Sequence, residues 1–143
     1  MITFKKLDQS HHRQVVTMLA ETRLPFEDID LNVHHMIGAY DGERLKGIAA
    51  LELYGQYALL RSVAVDTREQ QKGLGSTLIE EVLKTAKALN LSNLYLLTET
   101  AEGFFSKLGF VKTERSEVPT TVMGSREFKY LCPESAICMM RQI

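Results

Sequence analysis

Residues 70–83 read QQKGLGSTLIEEVL and give the strongest indication of both fold and ligand. Gly73 and Gly75 stand just before a run with the spacing of an amphipathic helix, predicted over about 73–89. The first N–H groups of a helix lack internal partners, and glycine lets a ligand approach the backbone closely. The stretch therefore predicts a cradle for phosphate oxygens, the alternative being a glycine turn that only starts a helix.

Length and composition suit a single domain covering residues 1–143. Apolar residues make up 45% and the net charge is −1 without a basic block, which argues against a nucleic-acid-binding surface. No apolar run approaches the ~20 residues that cross a bilayer, and the N-terminus lacks a signal-peptide pattern. We therefore expect no membrane contact and a cytoplasmic location, where Cys132 and Cys138 would be free thiols.

Hydrophobic patterning predicts an α/β domain with a mixed sheet. The first half reads as a strand, a helix and a series of strands joined by short turns, one of them at Asp41-Gly42. The second half alternates helices and strands. Predicted strands cover about 1–7, 36–40, 45–53, 57–65, 94–97, 110–112 and 137–142, and predicted helices about 10–24, 73–89 and 101–108.

Two common phosphate-binding motifs do not fit the glycine stretch. A nucleotide P-loop requires GxxxxGK[ST], but Lys72 precedes the glycine here. A dinucleotide fingerprint requires GxGxxG, but Leu78 stands where the third glycine would be. The histidine pairs 11–12 and 34–35 are adjacent in sequence and diverge in space, so we expect no metal site.

Two segments resemble the signatures of the GNAT superfamily, the acetyl-CoA-dependent N-acetyltransferases. Residues 70–75, QQKGLG, are similar to its Q/R-x-x-G-x-G/A motif. Residues 101–110, AEGFFSKLGF, are similar to its second signature, A-x-x-F-Y-x-x-x-G-F. The two segments occur in the family's order, and with the preceding strand the resemblance covers residues 57–112.

The resemblance implies acetyl-CoA as cosubstrate and a small-molecule amine as acceptor, and it is compatible with a homodimer. It implies a mostly antiparallel central sheet, flanked by helices and splayed between the fourth and fifth strands, where pantetheine pairs with exposed backbone. The cofactor-binding residues implied are Val63, Val65, Gln70, Gln71, Lys72, Gly73, Leu74, Gly75 and Ser76.

The sequence departs from the family at two positions of the second signature. Phe105 stands where a tyrosine commonly protonates the leaving thiolate, and Thr98 replaces a common asparagine. Phenylalanine has no proton to give. Another group or water would have to serve, and a nonenzymatic acetyl-CoA-binding module remains an alternative.

An acetyl transfer to an amine also needs a base, because the acceptor is mostly ammonium at neutral pH. Glu52 and Glu99 stand at the ends of predicted strands and are the candidate catalytic bases. The alternatives are that both are solvated surface carboxylates, or that water is the base.

Two arginines are candidate substrate-binding residues. Arg61 lies within an otherwise apolar strand, where it either pairs with an internal carboxylate or faces an acidic group of the substrate. Arg23 follows the first helix and is either a second substrate contact or a solvated helix-end residue.

Three segments also resemble the arsenic-resistance branch of the superfamily: LLRSVAVD (59–66), TAEGFFSKLGF (100–110) and FKYLCPESAICM (128–139). That branch acetylates the α-amine of glutamate-like amino acids carrying arsinic or phosphinic groups, as in arsinothricin and phosphinothricin. The resemblance thus implies an acidic amino-acid acceptor. Polyamines, aminoglycosides and protein N-termini remain alternatives.

Overall fold

The structure, a computed structural model, describes residues 1–70, 73–132 and 134–143. The predicted cofactor contacts Gln71 and Lys72 lie outside the described residues. The strands are β1 (Ile2–Lys6), β2 (His35–Asp41), β3 (Arg44–Tyr54), β4 (Tyr57–Val65), β5 (Asn93–Thr98), β6 (Val111–Lys112) and β7 (Ile137–Gln142). The α-helices are α1 (His12–Glu21), α2 (Leu74–Ala88), α3 (Glu102–Lys107) and α4 (Thr120–Met123).

The strands form one seven-stranded sheet in the order β1-β2-β3-β4-β5-β7-β6. All neighbours pair antiparallel except β4 and β5, which are parallel. These two strands pair only where Tyr57–Leu59 meets Asn93–Tyr95, at the start of each strand. Beyond Leu59 they separate. The predicted mixed sheet, splayed between its fourth and fifth strands, is confirmed.

A bulge in β4 lies beside the point where the strands separate. The register on β3 moves from Ala50 opposite Arg61 to Ile48 opposite Ala64, so β4 has one extra residue. Ser62 has a left-handed backbone conformation with φ 57°, which residues other than glycine rarely adopt. An extra residue reverses the alternation of faces. Consequently Leu60 and Val63, not Leu60 and Ser62, both pack toward α2.

The core lies on both faces of the sheet. On one face, buried residues of α2 pack with Phe105 of α3 and Phe110 against alternate positions of the central strands. On the other face, α1 covers β2 and β3, while residues 118–128 cover β4, β5 and β7. Arg61 follows Leu59 by two positions and so lies on this second face, away from α2.

Two segments differ from the sequence-based prediction. The first helix is a 3-10 turn, Gln9–His11, capped by Asp8, followed by α1, which ends at Glu21 rather than near residue 24. Arg23, with φ 62°, reverses the chain there. The segment between β6 and β7 was not predicted to be helical, but it contains α4 and a π-helix, Glu127–Leu131. Among the described residues, no helix combines the length and apolarity that a membrane span requires.

Candidate active site

A cleft of about 1200 Å³ opens where β4 and β5 separate. One wall is the second half of β4 and the other is the end of β5 with the start of α3. The first turn of α2, the segment after α1 and the π-helix segment complete it. Its polar lining includes Arg23, Glu27, Ser62, Ser76, Thr98, Glu99, Glu127 and Cys132.

Most of the predicted cofactor-binding residues that the structure describes line this cleft. They are Val63, Val65, Gln70, Gly73, Gly75 and Ser76. The Gln70 side-chain amide donates to the Val65 carbonyl at 3.1 Å, which holds the loop against the end of β4. Leu74 differs, because its side chain is buried in the core beneath α2. Only its backbone, in the first turn of the helix, is available to a ligand.

Glycine is required at the two positions before and within the first turn of α2 for different structural reasons. Gly73 has φ 84°, and a side chain built there would meet no atom within 4 Å. It supplies a left-handed turn beside open space. At Gly75 the requirement comes from packing, because a Cβ there would lie only 3.2 Å from Cζ of Phe104. The absence of both side chains brings the helix start close to α3 and leaves its N–H groups accessible.

Arg61 lies at the centre of a buried ion-pair cluster. Its guanidinium has no exposed surface. Nη1 and Nη2 donate to the two carboxylate oxygens of Asp28, at 2.5 and 2.7 Å. Nη1 also contacts Glu52 at 3.1 Å, and Nε contacts Glu127 at 3.0 Å. The internal ion pair, one of the two alternatives for Arg61, is therefore present. Arg61 is also among the residues that line the cleft, but its guanidinium is engaged by these three carboxylates.

Glu52 and Asp28 are held ionised by these contacts. Burial alone would raise the pKa of Glu52, but hydrogen bonds from His34, Tyr54 and Arg61 outweigh it and lower the pKa to about 2. Burial opposes ionisation of Asp28 as well, and the Arg61 guanidinium reverses this, so its pKa is lowered. Such a Glu52 is a weak base, and it is not among the described residues that line the cleft.

Polar atoms of Asp28, His34 and Glu52 all lie within 4.8 Å of one another, a spacing that a metal ion could use. Internal hydrogen bonds account for this proximity. His34 Nδ1 accepts from the Asp30 backbone N–H at 3.3 Å, so Nε2 is left to donate to Glu52 at 3.1 Å. The Arg61 guanidinium already supplies the positive charge between the two carboxylates.

Glu127 is the third carboxylate on Arg61, and it differs from the other two. It begins the π-helix and is 5% exposed, yet it lines the cleft. Burial raises its pKa, and the nearby charges of Asp28 and Glu52 add to the effect of burial, against the Arg61 guanidinium. Its second oxygen accepts from the Cys132 thiol at 3.5 Å. Burial and the charge of Glu127 raise the pKa of Cys132 to about 12.

The remaining predicted polar residues, Arg23 and Glu99, are exposed and lie on the cleft wall. Within the described part of the chain, the Arg23 guanidinium forms no ion pair. The cleft therefore has a solvent-facing cation as well as carboxylates.

The residues at the two departures from the family signature both have a local structural role. Phe105 is buried, and its ring makes edge-to-face contacts with Phe104 and Phe110. Thr98 accepts a hydrogen bond from the Ala101 backbone N–H through Oγ1, at 3.0 Å, at the start of α3. A threonine hydroxyl thus fixes this helix start.

Sequence reasoning missed Glu127 and Cys132. Both lie in the segment before β7, where no periodicity indicates which side chains turn inward. The only available signal was the cost of burying Arg61 without partners, which requires carboxylates but does not say which of the 18 acidic residues supplies them.

The family model described as the Acetyltransferase (GNAT) family matches residues 4–110. Among curated proteins, the chain is 32% identical over 109 residues to the uncharacterized N-acetyltransferase CgeE of Bacillus subtilis, covering 68% of this chain and 41% of that protein. It is 31% identical over 80 residues to the amino-acid acetyltransferase of Mycobacterium tuberculosis, covering 55% and 45%. The chain spans less than half the length of either relative.

Solved structures share the fold. N-acetylglutamate synthase from Neisseria gonorrhoeae, complexed with coenzyme A and N-acetyl-glutamate, has a TM-score of 0.83 at 16% identity, covering 99% of this chain and 35% of that one. Rv2747 from M. tuberculosis, in complex with CoA and NLQ, has a TM-score of 0.80 at 20% identity, covering 99% of both chains. Identities this low establish the fold alone.

Proposed function

The chain belongs to the acetyltransferase (GNAT) family, and we propose that this domain transfers an acetyl group from acetyl-CoA to the α-amine of a small amino acid. Family membership assigns the domain to the acyltransferases. The proposal adds the donor, the acceptor and the residues that would hold them.

The cofactor part of the proposal is supported by the α2 cradle beside the β4–β5 cleft. Gly73, Gly75 and Ser76 offer backbone N–H groups to the pyrophosphate of coenzyme A. Val63 and Val65 lie on the part of β4 that does not pair with β5, where pantetheine would add along the strand. Structures of the same fold contain coenzyme A. At about 1200 Å³ the cleft exceeds the ~300–1000 Å³ of a typical single-ligand pocket, which leaves room for an acceptor.

The charge arrangement of the cleft carries the acceptor proposal. An α-amino acid presents a carboxylate and an ammonium group a few ångströms apart. The cleft offers the exposed Arg23 guanidinium for the carboxylate and the acidic Glu99 and Glu127 for the ammonium. An amino-acid acetyltransferase among the curated relatives favours the same acceptor class.

A narrower proposal, a glutamate-like acceptor carrying a carboxylate, phosphinate or arsinate, rests on the three segments that resemble the arsenic-resistance branch. Arg23 would then serve this second anion as well as the α-carboxylate, because the Arg61 guanidinium is enclosed by three carboxylates. We expect Arg61 to act on the acceptor only indirectly, by holding Glu127 at the cleft wall.

An acceptor panel tests the proposal. Release of CoA thiol from acetyl-CoA is followed with L-glutamate, L-glutamine, phosphinothricin, spermidine, kanamycin and a peptide with a free N-terminus. We expect turnover with the amino acids, fastest with those bearing a second acidic group. Faster turnover of spermidine or kanamycin would contradict the amino-acid acceptor. Acetyl-CoA binding without turnover on any acceptor would favour a nonenzymatic module.

A further inference from the structure

The Arg61 guanidinium contacts three carboxylates, but the donors that each carboxylate receives differ. Asp28 receives both terminal nitrogens of Arg61. Glu52 receives Nη1, the His34 ring and the Tyr54 hydroxyl. Among the described residues, Glu127 accepts only from Arg61 Nε and from the Cys132 thiol, a weak donor. One positive charge cannot compensate three buried negative charges, so the carboxylate with the fewest donors is the one that binds a proton most readily.

The pKa values of the three carboxylates shift in different directions. The pKa values of Asp28 and Glu52 are lowered, whereas burial raises that of Glu127. Neighbouring carboxylates whose pKa values are pushed apart are typical of acid–base sites. Glu127 is thus the member of the cluster whose pKa is shifted in the direction that favours accepting a proton from an amine acceptor.

Glu127 is also the member with access to the proposed reaction. Like Glu99 it lies on the cleft wall, where β4 and β5 separate, whereas Glu52 lies off that wall. A π-helix begins at Glu127, and such helices are often found at functional sites. Arg61 and Cys132 fix the carboxylate from two sides, at 3.0 and 3.5 Å. It is therefore held in one orientation without being withdrawn from the cleft.

We propose that Glu127 is the general base of the acetyl transfer, taking a proton from the ammonium group of the acceptor; this rests on the proposed function. The proton moves from the acceptor nitrogen to the carboxylate, and the free amine then attacks the thioester carbonyl carbon. A C–N bond forms and the C–S bond breaks, with the electron pair leaving on the CoA sulfur. The second proton of the attacking nitrogen passes to that thiolate, and Glu127 releases the first proton to solvent.

This assignment gives Arg61 a positioning role. The thiolate takes its proton from the attacking nitrogen, so this step does not use a tyrosine at the position of Phe105. The charged and titratable groups that face Glu127 are Arg61 on β4, Cys132 after the π-helix, Asp28 after α1 and Glu52 on β3. The arriving ammonium adds a positive charge near Glu127, which lowers its pKa in the complex and favours the ionised base before the transfer.

Glu127→Gln tests the proposal, with Glu80→Gln on the exposed surface of α2 as the matched control. The pH dependence of kcat/KM is measured with whichever of L-glutamate, spermidine, kanamycin or the N-terminal peptide the parent acetylates. We expect Glu127→Gln to lose roughly 10²–10³-fold at pH 7. The loss should shrink as pH rises, since the acceptor then deprotonates in solution. Glu127→Asp keeps a carboxylate and should recover part of the rate at neutral pH.

A second acceptor excludes a purely structural effect. An aminooxy analogue has an amine that is already neutral at pH 7, so Glu127→Gln should slow its acetylation less than tenfold. Equal losses with both acceptors, independent of pH, would overturn the proposal, as would a pH-dependent loss in Glu99→Gln but not in Glu127→Gln. If the parent acetylates none of the probes, the proposed function fails and the base assignment fails with it.

Discussion

The Arg61 guanidinium and the Asp28 carboxylate form a two-pronged ion pair inside the fold, with N–O distances of 2.5 and 2.7 Å. Asp28 belongs to the segment that follows α1, and Arg61 lies on β4 beside the bulge at Ser62. The pair therefore fixes an irregular segment to the strand that forms one wall of the cleft. Its geometry links the stability of the domain to the shape of the site.

Removing the Arg61 side chain should destabilise the domain strongly. Arg61→Ala leaves three buried carboxylates without their cation, a change that typically costs about 3–5 kcal/mol in the free energy of unfolding. Arg61→Lys keeps the positive charge but cannot donate through two nitrogens to Asp28, so we expect an intermediate loss of unfolding free energy. Urea unfolding measures both.

Arg68→Ala is the matched control, because Arg68 pairs with Asp66 at the surface and its loss should change stability little. If Arg61→Ala were as stable as the parent and instead altered the preference between acidic and neutral acceptors, the guanidinium would have to face the substrate.

The cluster should also set the acid stability of the domain. The folded-state pKa of Glu52 is about 2, below its ordinary value of 4.5. Its ionised form therefore stabilises the fold fully above about pH 4.5, and this contribution is lost as pH falls from there toward 2.

Glu52→Gln should show this as a lower unfolding free energy at pH 7 and a shallower decline between pH 4.5 and 2. Glu114→Gln at the exposed surface should keep the decline of the parent. The raised pKa of Glu127 acts in the opposite direction, since its ionisation as pH rises disfavours the folded state. If Glu52→Gln shows the same decline in unfolding free energy between pH 4.5 and 2 as the parent, the Glu52 carboxylate is not held ionised by the cluster.

Gly73→Glu should abolish binding of acetyl-CoA without unfolding the domain. The substitution places a negative charge at the mouth of α2, where the pyrophosphate is proposed to bind. The measurement is the rise in melting temperature on adding acetyl-CoA, which binding to the folded state produces by linkage.

Gly42→Glu controls for backbone strain. Gly42 has φ 62° against 84° for Gly73, and a side chain at either position would meet no atom within 4 Å. The two variants share the strain but differ in distance from the cleft. An acetyl-CoA response that survives in Gly73→Glu would place the pyrophosphate elsewhere.

Arg23→Gln should raise KM for carboxylate-bearing acceptors about tenfold while acetyl-CoA affinity stays near that of the parent. The loss of one charge-assisted hydrogen bond at a partly exposed position accounts for that size. Arg13→Gln, an exposed arginine on α1, is the control. A neutral amine acceptor should be unaffected.

Arg23→Gly separates binding from folding. Glycine relieves the left-handed backbone at φ 62°, so stability should rise by up to about 1 kcal/mol even as KM rises. If stability and KM both stay at the parent's values, Arg23 is only a solvated residue at a helix end.

Most of the strands and the start of α2, where the cofactor cradle is proposed, could be predicted from the sequence. β4 and β7 have the predicted bounds, and α2 begins directly after Gly73 as expected. These features are local: the alternation of apolar residues, the helical spacing after the glycines and the turn at Asp41-Gly42 each act within a few residues. The prediction of the cradle rests on the same local chemistry, because the N–H groups at a helix start lack intrahelical partners whatever the rest of the fold.

Which charged side chains meet depends on how distant parts of the chain pack together. Arg61 is 33 residues from Asp28, 9 from Glu52 and 66 from Glu127 in the chain, and no local pattern connects them. Their meeting depends on the bulge at Ser62, on the path of the segment after α1 and on a π-helix that periodicity did not predict. A buried cation requires carboxylates, but which ones reach it, and which is left able to accept a proton, depends on how the whole chain packs around the sheet.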